Sequence, residues 1–148
     1  LARYAALSQE AGLVPIVEPE VLMDGGHDIE RCREVTELAL ELTFRELFNQ
    51  NVVLEGMVLK PNMVLAGKKC ARQNSVDDVA AMTVKVLRRQ VPAAVPGIAF
   101  LSGGQSEVEA TAHLNAMNKN AADLPWLEFL LWPGVAGIRL AGLAGRGG

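Results

Sequence analysis

Lys60 is the residue whose type and position in this sequence most directly indicate covalent chemistry. It follows an apolar run from Val52 to Leu59, and Pro61 directly after it removes a ladder donor, so the predicted strand stops with Lys60 at its carboxyl end. That strand places three uncharged residues on the face of Lys60, namely Leu54, Gly56 and Val58. Such surroundings favour the neutral amine, which attacks carbonyl groups to form Schiff bases. The alternative is a strand-end lysine that reaches solvent, since buried unpaired lysines are rare.

Two carboxylates stand at the carboxyl end of another predicted strand. Glu18 is in phase with Val14 and Ile16, and Glu20 follows two positions later. A carboxylate near a lysine can protonate the departing hydroxyl of a carbinolamine, and a second one can hold the cation and tune the first. The pair could equally cap the helix that follows, because acidic side chains are favoured near helix N-termini.

The segment Ser102-Gly103-Gly104 combines a hydroxyl with two residues that let a ligand approach the backbone closely, just before a predicted helix. Phosphate groups bind well at such a position. In barrels, the loops after the seventh and eighth strands often form a phosphate site, whereas this segment follows the third strand visible in the sequence. A lone Ser-Gly-Gly is more often a simple turn, so both readings stay open.

The remaining polar residues give no signal for a metal or a cofactor. His27 lies in a polar glycine loop with no second ligand near it in sequence, so we expect it at the surface. Cys32 and Cys70 lack the spacing of a zinc site or a redox motif, and we interpret both as ordinary thiols. Lys68 and Lys69 are interpreted as solvated loop residues.

Composition restricts the class of protein and its partners. The chain has 148 residues, half of them apolar, and a net charge of −3, which is typical of one globular unit with a core of its own. Charges of both signs are interspersed, so neither a nucleic-acid groove nor a polybasic membrane patch is indicated, and a small-molecule partner is favoured. The sequence shows neither a secretory signal nor a membrane-spanning run, and we expect a cytoplasmic protein.

The elements that must position these residues alternate in type along the chain. The expected order is a helix over 1–11, strands over 13–17, 52–59 and 97–101, helices over 29–48, 75–91 and from Ser106 onward, and a fourth strand near Trp126. Strands that alternate with helices argue for a parallel α/β sheet with right-handed crossovers. A barrel and an open doubly wound sheet share this pattern, so periodicity leaves the choice between them open.

Taken together, several segments resemble class I fructose-bisphosphate aldolases. The order and spacing match in Val14-Pro15-Ile16-Val17-Glu18-Pro19-Glu20, in Leu59-Lys60-Pro61-Asn62-Met63 and in Leu101-Ser102-Gly103-Gly104-Gln105-Ser106. Three further segments, Asp24 to Asp28, Pro92 to Gly97 and Leu114 to Asn118, extend the likeness over residues 1–126.

The resemblance implies a TIM (β/α)₈ barrel, of which this chain would hold strands five to seven. It makes Lys60 the imine lysine, Glu18 the proton shuttle and Glu20 the supporting carboxylate, while Ser102, Gly103 and Gly104 would hold a substrate phosphate. The implied glycolytic reaction is the reversible cleavage of fructose 1,6-bisphosphate to dihydroxyacetone phosphate and glyceraldehyde 3-phosphate. No cofactor is implied, and a homo-oligomer is expected for the intact enzyme.

The sequence departs from the family pattern at both ends. The chain begins as if inside a helix, and we expect the family's first four strands, with their aspartate and further lysines, to be absent from it. We assign residues 1–126 to a partial barrel and 127–148 to a divergent tail, in which Gly134 stands where the family has a phosphate-binding arginine. A shift of reading frame from about residue 128 is our hypothesis for this tail, and the nucleotide sequence would test it.

Two other functions stay open at the level of sequence. The chain could be a catalytically inactive fragment that only associates with other chains through open strand edges. It could also belong to a different Schiff-base lyase that acts on another phosphorylated ketose. Release of an aldehyde from fructose 1,6-bisphosphate would separate the first case from an aldolase, and competition between substrates would separate the second.

Overall fold

The structure is a computed structural model that describes residues 1–121 and the backbone of residues 129–131. Helices and strands alternate in the order α1 (Ala2–Glu10), β1 (Ile16–Val17), α2 (Ile29–Asn49), β2 (Val58–Leu59), α3 (Val76–Gln90), β3 (Ile98–Phe100), α4 (Glu107–Asn120) and β4 (Phe129–Leu131). A short 3₁₀ helix, Leu54–Gly56, precedes β2. Most of the tail to which we assigned a shifted reading frame lies outside the described residues.

The four strands form one parallel sheet in the order β1-β2-β3-β4. Ile16 pairs with Val58, and Ile98 pairs with both Leu59 and Phe129. Each strand thus lies beside its sequence neighbour, and the described strands lack the reversal of order that marks a doubly wound sheet. This is the winding of a barrel segment, and the predicted α/β class and fourth strand are both confirmed.

Helix ends follow local signals that the sequence carries. The Ser75 and Ser106 hydroxyls accept from backbone N–H groups three residues on, and Asp78 and Glu109 accept in return from the cap N–H groups. Asp28 caps α2 by accepting from the N–H of Arg31. These capping boxes satisfy donors that every helix leaves open, which is why the predicted starts of α3 and α4 are confirmed.

The helices cover one face of the sheet. Val17 and Leu59 are fully buried and belong to the same apolar core as Leu40 and Leu47 of α2. α1 packs on α2, α2 on α3 and α3 on α4, so the helices follow the order of the strands. Because side chains alternate along a strand, Ile16 and Val58, which directly precede Val17 and Leu59, project from the opposite face and are only partly buried.

The strand predicted over 52–59 is confirmed only at its end, Val58–Leu59, and is wrong over residues 52–57. Gln9 of α1 accepts from the Val53 N–H at 2.9 Å and donates to the Val53 carbonyl at 2.8 Å, and the next residues turn into the 3₁₀ helix. A side chain distant in sequence thus takes the backbone groups that a strand ladder would have used. Leu54 and Gly56 consequently do not share a strand face with Lys60.

The first predicted strand is also shorter than expected. We anticipated a strand over 13–17 buried on both faces, whereas β1 covers Ile16–Val17 alone, and Leu13 and Val14 are 64% and 66% exposed. β1 lies at one edge of the described sheet, so its flank has no neighbouring strand there.

Within the described part of the chain, no helix is long and apolar enough to cross a membrane.

A buried threonine of α3 holds the loop after β2. The Thr83 hydroxyl donates to the Val79 carbonyl of its own helix at 2.7 Å and accepts from the Val64 N–H at 2.9 Å. Thr83 is almost fully buried, so neither group can turn to water instead. This contact joins the segment that follows Lys60 to the helical layer.

Replacement of Thr83 by valine is expected to lower the free energy of unfolding by about 1–3 kcal/mol, because the buried Val64 N–H loses its acceptor. Urea denaturation measures the change. Thr43→Val is the matched control, since among the described residues the Thr43 hydroxyl bonds the Ala39 carbonyl of its own helix alone, and it should cost clearly less. Equal losses for the two variants would contradict a role of Thr83 in holding the loop.

Candidate active site

Lys60 and Glu18 form an ion pair at the carboxyl ends of neighbouring parallel strands. The register that pairs Ile16 with Val58 and Val17 with Leu59 places Glu18 directly beside Lys60, whose N–H donates to the Val17 carbonyl at 2.7 Å. The Lys60 Nζ lies 2.9 Å from the Glu18 Oε1. The two residues, 42 positions apart in sequence, thus meet because the strands are parallel and adjacent.

The surroundings of Lys60 are less apolar than the sequence indicated. Its side chain is 18% exposed, and of the three expected face neighbours only Val58 stands on the same strand. A carboxylate faces the amine in place of a fully apolar pocket. Glu18 is more exposed than Lys60 and lies within hydrogen-bonding distance, a position from which it could exchange a proton with the amine.

Glu20 is not brought to Lys60 in the same way. The buried Pro19 separates it from Glu18, and its side chain is exposed. Among the described residues, Glu20 has no hydrogen-bond or ion-pair partner. The supporting role that the resemblance implies for Glu20 therefore stays a prediction.

Asn62 is a structural residue of the site that the sequence reasoning did not single out. It is only 2% exposed, and its Oδ1 accepts from the Val21 N–H at 3.0 Å, while its Nδ2 donates to the Thr36 hydroxyl and the Met63 carbonyl. It thereby ties the loop after Glu20 to the end of β2 and to α2. The sequence signal that could have identified Asn62 is its polar amide between the apolar Pro61 and Met63. A polar side chain that is buried at such a position must be hydrogen-bonded.

The loop Ser102–Gly104 lies beside the end of β2. The Leu101 N–H donates to the Pro61 carbonyl at 3.2 Å, which keeps the loop next to the residue that follows Lys60. Gly103 and Gly104 have φ values of 57° and 75°, in the left-handed region that glycine adopts without strain. The Gln105 N–H closes a turn onto the Ser102 carbonyl at 3.0 Å. The segment is thus a turn, and its use as a phosphate site stays a prediction.

Gln105 and His113 brace this turn from the helix side. The Gln105 Nε2 donates to the Ser102 carbonyl at 3.0 Å and to the Met63 sulfur at 3.5 Å, and its Oε1 accepts from the His113 Nδ1 at 2.5 Å. His113 is buried on α4. Burial lowers the pKa of its imidazole, and the Glu109 carboxylate opposes that shift.

His27 is less exposed than we expected. Its ring is partly buried, and its Nε2 is buried without a hydrogen-bond partner. The ring lies against Gly25 and Gly67. These two glycines are themselves packed closely, since a Cβ added to Gly67 would overlap the Gly25 carbonyl. Among the described residues, no group of three or more His, Cys, Asp or Glu side chains is arranged to hold a metal ion.

The two cysteines are free thiols. Cys32 is buried on α2, and burial raises the pKa of its thiol, partly offset by hydrogen bonds from the Leu65 backbone and the Thr36 side chain. Cys70 is only partly buried. A raised thiol pKa disfavours the reactive thiolate, so a nucleophilic role for Cys32 is not indicated.

The fold is that of a segment of an α/β-barrel type of protein, with the candidate side chains at the carboxyl ends of consecutive parallel strands. The sequence model of the family "Fructose-bisphosphate aldolase class-I" matches residues 1–130. The chain therefore belongs to the class I fructose-bisphosphate aldolase family, whose members are lyases.

Named relatives agree with this assignment. A "Probable fructose-bisphosphate aldolase class 1" of Xanthomonas axonopodis pv. citri is 60% identical over 126 residues, covering 85% of this chain and 37% of the relative. Aldolase B of Gallus gallus is 58% identical over the same length, covering 85% of this chain and 35% of that protein. The chain thus spans little more than a third of the length of the relatives it matches.

A solved structure shows the same fold. Fructose-bisphosphate aldolase from Plasmodium falciparum, crystallised in complex with TRAP and a small-molecule inhibitor, superposes with a TM-score of 0.84 at 50% sequence identity. The match covers 88% of this chain and 38% of the other. The high TM-score confirms that the described parallel sheet and helices have the arrangement found in an aldolase.

The lowered pKa of His113 predicts a particular loss of stability with pH. Because the folded state binds the proton less readily than the unfolded chain, the stabilisation is complete above the unfolded pKa of about 6.5 and is lost as the pH falls through the folded pKa. His113→Gln should flatten this dependence in urea denaturation between pH values of about 7.5 and 5.

The carboxylate of Glu109 titrates outside that window. Its pKa is held low by the Ser106 backbone and side-chain hydrogen bonds, so its contribution is lost only below the ordinary Glu value of about 4.5. An unchanged pH slope in His113→Gln would show that His113 is not the group that titrates.

Proposed function

We propose that this chain carries the imine-forming part of a fructose-bisphosphate aldolase active site, with Lys60 as the Schiff-base residue. The observation that carries the proposal is the contact between the Lys60 Nζ and the Glu18 carboxylate at the carboxyl edge of parallel strands. A lysine with a carboxylate at hydrogen-bonding distance has both the nucleophile and the proton carrier that imine formation requires.

The proposed reaction begins with a proton transfer. Glu18 takes a proton from the Lys60 ammonium, and the free amine adds to the ketone carbon of the sugar phosphate to give a carbinolamine. Glu18 then returns a proton to the carbinolamine hydroxyl, which leaves as water and yields a protonated imine. The imine accepts the electron pair of the breaking carbon–carbon bond and becomes an enamine, while the hydroxyl on the departing carbon gives its proton to the Glu18 carboxylate and that carbon leaves as an aldehyde.

Phosphate recognition is proposed for the turn at Ser102–Gly104. The Ser102 hydroxyl is exposed. Positive φ values favour glycine at positions 103 and 104, and because glycine has no Cβ atom, a ligand can approach this backbone closely. The Leu101–Pro61 backbone bond keeps this turn beside the strand end that carries Lys60. A ketose phosphate could then present its carbonyl to the lysine and its phosphate to the turn.

The finer assignments rest on the family resemblance. They are strands five to seven of a (β/α)₈ barrel, the supporting role of Glu20, a glycolytic reaction, a homo-oligomeric intact enzyme and a cytoplasmic location. One relative, from Chlamydomonas reinhardtii, is named as chloroplastic, so location varies among the relatives. Since the chain spans little more than a third of its relatives, we propose complete cleavage activity only for a protein that also contains the remaining strands.

Association with other chains is the second candidate function, and the edge of the sheet favours it. β1 is an edge strand of the described sheet, and the exposed Leu13 and Val14 lead directly into it. Unpaired edges with apolar flanks recruit further strands. Analytical ultracentrifugation across a concentration series would detect such association, and a chain that remains monomeric throughout would exclude it.

Borohydride trapping with dihydroxyacetone phosphate tests the Schiff-base assignment. Reduction makes an imine permanent, so we expect one covalent adduct on the peptide that contains Lys60, measured by peptide mass mapping. Lys60→Ala should lose the adduct completely. Lys85→Ala should keep it, because Lys85 lies on α3 and takes no part in the proposed site. No adduct on a chain shown to be folded by circular dichroism would refute imine formation by this chain.

The role of Glu18 is tested by the rate of trapping. Glu18→Gln removes the proton carrier while keeping its size, and we expect adduct formation to slow by about 10²- to 10⁴-fold. Glu55→Gln, which changes an exposed carboxylate in the 3₁₀ helix, is the matched control and should trap at the unaltered rate. Equal rates for the two variants would remove Glu18 from the proposed mechanism.

A further inference from the structure

Lys68 lies in the loop after β2, and its backbone is held firmly. The Lys68 N–H donates to the Met23 carbonyl at 2.8 Å, and the flanking Gly67 and Lys69 N–H groups donate to the carbonyls of His27 and Gly25. These three bonds join the loop after β2 to the loop after β1. Lys68 is the exposed loop residue that the sequence indicated, and the position from which its side chain extends is defined by these backbone contacts.

The side chain of Lys68 extends to the turn after β3. Its Nζ and Cε lie so close to Gly104 that a Cβ added there would overlap both atoms. Met23, whose carbonyl anchors the Lys68 backbone, itself lies next to Gly103. The loops that follow three consecutive strands therefore meet at one place, with an ammonium group against the glycines.

The charge on Lys68 remains available to a ligand. Among the described residues its nearest carboxylate is Asp24, at 3.6 Å, and both side chains are more than half exposed. Exposed pairs of this kind contribute little free energy, so an incoming anion can compete with the carboxylate. An ammonium group also carries three donors, and one loose partner cannot occupy all of them.

The proposed phosphate site needs such a charge. The Ser102 hydroxyl and the glycine N–H groups are neutral donors, and the Lys60 ammonium is paired with Glu18. Hydrogen bonds between an ionised donor and an ionised acceptor are roughly twice as strong as neutral ones. A phosphate at the turn would otherwise rely on neutral donors among the described residues nearest to it.

We propose that Lys68 is a further substrate-binding residue, which places its ammonium group on the phosphate held by Ser102, Gly103 and Gly104. This inference rests on the proposed function, because it assumes that the turn receives the phosphate of the ketose. It assigns to the loop after β2 a part of the phosphate site, which among the described residues would otherwise lie in the loop after β3.

Titration with inorganic phosphate, followed by ³¹P NMR at low ionic strength, tests the assignment. Lys68→Ala should weaken phosphate binding by about fivefold or more, since one charge-assisted contact at a half-exposed site is lost. Lys68→Arg should keep most of the affinity. Lys69→Ala is the matched control, because it removes the same charge from the next residue, and it should stay within about twofold of the unaltered chain.

Borohydride trapping on the same variants separates this proposal from the proposed function. With dihydroxyacetone phosphate, Lys68→Ala should need a higher ketose concentration for half-maximal adduct at Lys60. With dihydroxyacetone, which has no phosphate, it should trap like the unaltered chain. An adduct at Lys60 with equal phosphate affinity in Lys68→Ala and Lys69→Ala would overturn the role of Lys68 and leave the Schiff base intact.

The opposite combination of results would also separate the role of Lys68 from the imine chemistry of Lys60. Phosphate binding that depends on Lys68, without any adduct at Lys60, would support the anion site and overturn the proposed imine chemistry. Absence of phosphate binding to the unaltered folded chain would overturn the role of Lys68 directly.

Discussion

The parallel register between β1 and β2 is the constraint on which the site depends. Pairing of Ile16 with Val58 and of Val17 with Leu59 leaves Glu18 and Lys60 side by side where both strands end. An antiparallel pair would have placed the two residues at opposite ends of the strands. Because the strands are only two residues long, the register is supported mainly by the fully buried Val17 and Leu59, which must face the helices.

Buried hydrogen bonds carry this register into the loops. Asn62 bonds the Val21 N–H, and Thr83 bonds the Val64 N–H, so the segments after β1 and β2 are attached to each other and to the helices. The Val64 N–H is buried and the Val21 N–H is partly buried, so losing either bond would leave a backbone donor poorly satisfied. The sheet edge that carries Lys60 and Glu18 is thus held by polar side chains that are themselves buried.

The loops that follow three strands also meet at the proposed phosphate site. The turn at Ser102–Gly104 is fixed by Gln105 and His113 on one side, and Lys68 reaches it from the other. Glycine is favoured at position 104 by its positive φ, and its missing Cβ leaves room for the end of the Lys68 side chain. In a parallel sheet with consecutive strand order, residues distant in sequence gather in this way because every strand ends at the same edge.

Local patterns in the sequence were enough to predict the helix starts, the α/β order and the candidate residues Lys60, Glu18 and Ser102–Gly104, because capping boxes, apolar periodicity and strand-ending prolines act over a few residues. The resemblance of several segments indicated the family. The folded chain was needed to show that Gln9 bonds Val53 ahead of a 3₁₀ helix, that His27 is partly buried, that Asn62 joins two loops and that Lys68 meets Gly104. Each of these four features depends on a contact between residues that are distant in sequence, or on burial by the folded chain. Such contacts arise only when the chain is folded, and no local pattern encodes them.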